Sequence, residues 1–202
     1  MEEKRYHHED LRQELIDAGI RLIAEDGVEK LSLRRIAAAC GVSHTAPYKH
    51  FQNKDDMLAA ILQYVLVQFA QGLQESVDRQ PGTPPERLME LGKGYVQFMA
   101  EHPDYLKILF FTGFMSPVPR EELADTSTDR RPYLLFQQTA IAYLEYLRIP
   151  KEEYRPHLIS LWALVHGIAV MLVNQNIDAG PDYLDEVERV LRTVIHFPPE
   201  DS

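Results

Sequence analysis

The stretch LSLRRIAAACGVSHTAPYKHFQNKDDML, residues 31–58, decides how this chain reads. Ser32 stands where a helix N-cap belongs, ahead of a short helix carrying Leu33, Ile36 and Ala37 that ends near Cys40-Gly41. Ser43 predicts the cap of a second short helix, running through Tyr48 to about Phe51. Two short helices joined by Ala39-Cys40-Gly41-Val42 make a helix-turn-helix, the unit that lays its second helix in the DNA major groove. Gly41 suits the positive φ that such a turn needs, and Val42 can seal the helix pair from below.

Charge points the same way. The chain carries 21 Lys+Arg against 31 Asp+Glu, a formal charge of −10 that by itself argues against a nonspecific nucleic-acid or acidic-membrane binder. From Lys30 to Lys54, however, lie Lys30, Arg34, Arg35, Lys49 and Lys54 with His44 and His50, and no Asp or Glu. Removing that +5 leaves −15 on the rest of the chain. A basic island in an acidic protein is either a solvated helix face or an electrostatic footprint for nucleic acid. Bases are read by short side chains at the start of a recognition helix, and basic or hydroxyl groups beside it hold phosphates. Here His44, Thr45 and Ala46 occupy the start, followed by Tyr48, Lys49 and His50, with Lys54 at the next helix N-terminus.

The rest of the pattern is helical nearly throughout. Leu11, Leu15, Ala18, Leu22 and Ile23 form one apolar stripe that stops at Asp26-Gly27. Asn53, with Asp56 three residues on, opens a long helix through Met57, Ile61, Val65 and Phe69. Thr83-Pro84-Pro85-Glu86 is a capping box with prolines in the first turn, opening a helix that ends at His102-Pro103. Further helices are expected over Tyr105–Phe111, Arg130–Leu147, Leu158 to about Gln175, and Pro181–His196, with a loop over Thr112–Asp129. No alternating strand and no internal repeat is found, so the expected fold class is all-α. One cysteine, Cys40, excludes an internal disulfide framework and a Cys-rich zinc site. The charged N-terminus lacks a signal-peptide pattern, and the longest apolar run, Leu158–Val173, is shorter than a membrane span and contains His166. A cytoplasmic protein without a membrane partner is the expectation.

Taken together, residues 31–58 resemble the DNA-binding signature of TetR-family transcriptional regulators, in which Gly-Val-Ser is followed by Tyr-x-His-Phe, a short loop, Lys, and an acidic-apolar helix start. Gly41, Val42, Ser43, Tyr48, His50, Phe51, Lys54 and Leu58 all match. The resemblance covers roughly the first 60 residues. It implies a three-helix DNA-binding domain over residues 1–54 and a helical-bundle domain for ligand binding and dimerisation over 55–202. It further implies phosphate contacts from Tyr48 and Lys54, base-edge contacts from His44, Thr45 and Ala46, and a contact from Arg34 on the supporting helix. Pro47 departs from the pattern, which usually has an aliphatic residue there. It removes a hydrogen bond from the recognition helix and shifts its start.

The C-terminal part offers a Trp-x-x-x-His-Gly element at Trp162–Gly167 that is similar to one found in a branch of the same family. It lies on a helix apolar on nearly all faces, which has to be buried on two sides; a partner subunit is the natural cover for one of them. Tyr95, Phe98, Met99, Phe110, Phe114, Tyr133, Phe136, Trp162 and His166 are the candidate lining of an apolar effector pocket, although aromatic residues at helical spacing also build ordinary cores. His166 reads as a ligand contact or a satisfied core histidine, and Cys40 as a small buried group rather than a redox sensor. His7-His8-Glu9-Asp10 reads as a solvated helix end rather than a metal site. No Gly-x-Ser-x-Gly, Walker-type or His-Glu-x-x-His pattern is present, and neither cofactor nor metal is expected. The reading is a homodimeric, ligand-responsive repressor that binds double-stranded operator DNA. An architectural DNA binder without effector and an all-α enzyme are its rivals.

Overall fold

The computed structural model describes residues 2–79, 82–111, 131–178 and 180–197. The expected gate loop over Thr112–Asp129, with Phe114, lies outside them, as do the side chains of His7, His8, Glu9 and Asp10. The described chain is all-α: α1 (Glu2–Asp26), α2 (Leu33–Ala39), α3 (Lys54–Asp78), α4 (Pro84–Glu101), α5 (Pro103–Phe111), α6 (Arg131–Tyr146), α7 (Tyr154–Val173) and α8 (Tyr183–Arg192).

Several termini follow from the residues that mark them in the sequence. The Arg35 amide donates to Ser32 Oγ at 3.2 Å, so Ser32 caps α2. Asn53 Oδ1 accepts from the Asp56 amide and Asp56 Oδ2 from the Gln52 amide, both at 2.9 Å, which fixes the start of α3. At α4, Glu86 accepts from both the Thr83 amide (2.7 Å) and the Thr83 hydroxyl (2.9 Å) while Pro84 and Pro85 fill positions whose N–H would go unused. These contacts hold the Glu86 carboxyl below the usual range, the Thr83 amide contributing most.

The chain divides into two compact units, and α3 takes part in both. The first contains everything up to Leu66 together with the helix from Asp104. The second begins at Val67, runs to Pro103, and resumes with α6, α7 and α8. The expected boundary after residue 54 therefore marks the start of α3, and the units part further along that same helix. In the first unit Leu15, Ile16, Ile36, Phe51, Met57 and Ile61 are fully buried. In the second, α4 is the hub, packing against α6, α7 and α8. Its Leu88, Leu91, Tyr95, Val96 and Met99 are all buried.

Candidate nucleic-acid interface

The turn after α2 closes in a Schellman arrangement. The Val42 amide donates to Ala37 O at 3.0 Å and the Gly41 amide to Ala38 O at 3.2 Å, with Gly41 at φ +68°. Only glycine adopts that conformation without strain, so the residue type is set by the turn. Val42 is half-buried, as expected of a seal beneath the turn.

Beyond Val42 the chain differs from the expected recognition helix. Ser43 does not cap an α-helix through Phe51; its hydroxyl pairs with that of Thr45 at 3.1 Å. The helical part is a 3-10 turn, Ala46–Lys49, preceded by Thr45 without a side-chain cap. Pro47 is the cause. It has no N–H to give, its ring is buried, and its carbonyl accepts from both the His50 and Phe51 amides at 2.9 Å. His44 and Thr45 thus lie ahead of the helical turn rather than inside it. Phe51, 2 % exposed, anchors the segment in the core of its unit, and the Arg12 guanidinium of α1 lies 5.4 Å from its ring centroid.

The anchoring leaves one face outward. Arg34, Ser43, His44, Thr45, Tyr48 and Lys49 are exposed, and Ala46 and His50 are half-buried. Tyr48 is 60 % exposed, a large aromatic side chain that contributes nothing to the core. Arg34 and His44 share a shallow concavity of about 410 Å³ with Ala37, Ala38 and Val42. The basic residues are not equivalent, however. Arg35 turns inward, donating to the Asp26 carboxylate and, at 3.0 Å, to Lys30 O. The Arg35 hydrogen bond holds the Asp26 carboxyl below its usual range, and Lys30 approaches the same carboxylate at 3.6 Å. Lys54 Nζ donates to Glu29 O at 3.2 Å, which places its ammonium at the N-terminus of α3. Sequence reading missed Asp26 and Glu29 as the groups that sort the island into stapling and outward-facing cations.

The candidate pocket residues fall in different places. Trp162 is the centre of an aromatic cluster, its ring centroid 5.6 Å from Tyr95, 5.6 Å from Tyr133 and 5.1 Å from Phe136, all edge-to-face. Tyr95 OH and His166 Nδ1 are 3.0 Å apart, joining α4 to α7. Burial raises the Tyr95 phenol far above its usual range and lowers the His166 imidazole, favouring the neutral form of both, and the imidazole tautomer sets which of the two atoms donates. Phe98 packs on Phe69 at 5.2 Å and Met99 is fully buried, while Phe110 belongs to the first unit. The enclosed space beside the cluster is about 20 Å³, bordered by Tyr95, Phe136, Leu161, Val165 and Leu191 among others. That is room for about one water. Cys40 is half-buried, its thiol directed at Glu14 O at 3.5 Å and raised in pKa by burial, an unreactive setting. Among the described residues no three His, Cys, Asp or Glu side chains converge as metal ligands would.

A family model described as bacterial regulatory proteins, tetR family, matches residues 15–61, and one described as tetracyclin repressor-like, C-terminal domain, matches residues 88–194. The HTH-type nicotine-responsive transcriptional repressor HdnoR of Paenarthrobacter nicotinovorans is 44 % identical over 69 residues, 34 % of this chain and 36 % of that protein. The chain therefore matches little more than a third of that relative's length. A protein of unknown function from Rhodococcus sp. RHA1 is similar at 25 % identity and a TM-score of 0.69, over 92 % of this chain and 93 % of that one. The Bacillus subtilis regulator FadR, solved in complex with stearoyl-CoA, shares the fold at a TM-score of 0.67 and 17 % identity, over 91 % of this chain and 97 % of that one. Because the second family model alone spans more than half of the sequence, with the first on the helix-turn-helix, this chain belongs to the TetR family of bacterial regulatory proteins.

Proposed function

We propose that this protein is a DNA-binding transcriptional repressor which, as a homodimer, holds a palindromic or near-palindromic operator and is released by a small, mostly apolar effector. The observation that carries the reading is the outward row of Arg34, Ser43, His44, Thr45, Tyr48 and Lys49 on a Gly41 turn, within the stretch Lys30–Lys54, where an acidic chain carries five basic residues and no carboxylate. Tyr48, Lys49 and Lys54 suit phosphates, His44, Thr45 and Ala46 suit base edges, and Arg34 reaches the same face. Ser43 and His50 complete the proposed DNA-binding set.

The effector half of the proposal rests on the cluster around Trp162. Its described walls are aromatic, with one polar pair, Tyr95 and His166, which favours an uncharged ligand portion there. Stearoyl-CoA, found with FadR, carries an apolar chain of the kind such walls accept. The space that the described residues enclose beside the cluster holds about one water, so an effector seated there needs an opened arrangement. Binding one arrangement and not the other is the differential affinity that effector release of DNA requires. The test is a thermal-shift screen of uncharged and acyl ligands followed by DNA-release assays, with His166→Ala and Phe136→Ala alongside. Hits should lose their effect in both variants. Release only by charged compounds that carry no acyl or other apolar group, or equal stabilisation of the variants, would remove the pocket from this cluster.

A further inference from the structure

A helical turn of about three residues instead of about 3.6 changes which side chains stand together on a surface. Pro47 makes that change here. In an α-helix the amide at position 47 would donate to Ser43 O. Proline has no such hydrogen, and its ring would press on that same carbonyl. In this chain Ser43 O accepts instead from the Ala46 amide at 2.9 Å, and Thr45 O accepts from the Tyr48 amide at 3.3 Å. Both bonds reach back three residues rather than four. The segment is also pinned along its length: the Gly41 turn fixes its start, the Pro47 ring is buried beneath its middle, and Phe51 holds its end in the core.

The consequence is a regrouping of the exposed side chains. Thr45 has helical φ −91° and ψ −17°, so it extends the turn backward. Side chains three apart eclipse in a 3-10 turn, so Thr45 and Tyr48, both exposed, form one outward row about 6 Å apart along the axis. Ala46 and Lys49 form the row beside it. An α-helix instead brings residues four apart side by side, and there His44 would be the neighbour of Tyr48. His44 lies ahead of the turn, in the concavity of about 410 Å³ that it shares with Arg34 of α2. The reading surface therefore falls into two groups, Arg34 with His44 and Thr45 with Tyr48.

We infer that Pro47, which is buried and touches no base itself, is a specificity-determining positioning residue: it assigns His44 to the α2 side and Thr45 to the row with Tyr48, and so fixes which base each one meets. The inference rests on the operator binding proposed above. It is tested on the full chain by competition binding among single-base variants of the duplex that the wild-type chain selects. Pro47→Ala restores the amide and removes the ring, which lets the segment take the α-helical ladder. It should change the preference at the bases met by His44 or Thr45 about tenfold, with far-UV ellipticity and salt slope as in wild type. Double-mutant cycles in the wild-type background read the grouping directly. Arg34→Gln with His44→Ala, and Thr45→Ala with Tyr48→Phe, should each depart from additivity about threefold or more, while His44→Ala with Tyr48→Phe should be additive. In the Pro47→Ala background the non-additivity should pass from Thr45 and Tyr48 to His44 and Tyr48. A Pro47→Ala chain with the wild-type preference at every base would overturn the positioning role and leave the operator reading standing. Coupling of His44 rather than Thr45 to Tyr48 in the wild-type background would overturn the grouping, whatever the stability of Pro47→Ala. A folded wild-type chain that selects no sequence would overturn the operator reading and this inference with it.

Discussion

Two glycines flank the helix that supports the reading segment, and substituting them should separate backbone strain from packing. A Cβ at either Gly27 or Gly41 would meet nothing within 4 Å, so any loss on substitution comes from the backbone alone. Gly41 is in the left-handed region at φ +68°, where an L-residue costs about 1–2 kcal/mol. Stiffening the unfolded chain returns about 0.4–1 kcal/mol, so Gly41→Ala should destabilise by about 1 kcal/mol net. Gly27 has φ +83° and ψ +161°, a region occupied almost only by glycine, so Gly27→Ala should cost more, up to about 3 kcal/mol. Asparagine tolerates the left-handed region, and Gly41→Asn should recover part of the alanine loss. The assay is urea unfolding followed by far-UV ellipticity. Tryptophan fluorescence is unsuitable as the sole probe, because the one tryptophan, Trp162, lies in the other unit. Gly41→Ala as stable as wild type, or Gly41→Asn no better than Gly41→Ala, would refute the assignment of Gly41 to the turn conformation.

Three further outcomes are expected of the two sites. Lys54→Ala and Tyr48→Phe should weaken binding to all DNA sequences about equally and, for Lys54, lower the salt slope by about one; an unchanged slope would take Lys54 off the phosphates. His44→Ala and Thr45→Ala should instead alter the preference among operator variants by about 1–3 kcal/mol per lost base contact, which competition binding against single-base changes would measure. Burial lowers the folded pKa of His166 beneath its unfolded value, so its contribution to stability is complete above pH ~6.5 and is lost as pH falls through that value toward the folded pKa. Melting temperatures of wild type and His166→Asn at neutral and mildly acidic pH should therefore show a smaller acid loss in the variant, and equal losses would show that burial does not hold the imidazole neutral.

The turn and the helix ends were legible because single residues specify them. Ser32, Gly41, Asn53 and Glu86 each satisfy backbone groups within a few positions, and such local chemistry is written in the sequence. The reading segment was less legible: apolar spacing registers Phe51 as buried but does not distinguish an α-helix from a 3-10 turn imposed by Pro47. Pairings across the chain left no local trace. Arg35 finds Asp26 nine positions away, and Tyr95 finds His166 seventy-one positions away, so the stapling cation and the neutral pair emerge only from packing. The division of α3 between two units was hidden for a related reason, since its apolar period continues unbroken past Leu66. For α7 the sequence carried more, because an apolar pattern on nearly all faces implied cover from two sides, and the protomer buries Leu161 and Val165 while leaving Ile159 and Met171 outward.

The central claim, that the surface around Gly41 reads operator DNA, is tested most directly by selecting bound duplexes from a random-sequence pool with the full chain and sequencing them. The predicted result is enrichment of a palindromic or near-palindromic site whose half-sites lie about one helical turn apart, or a multiple of it, with a consensus that changes in Thr45→Ala. A folded, dimeric chain that enriches no sequence, or one whose consensus is identical in wild type, His44→Ala and Thr45→Ala, would contradict it.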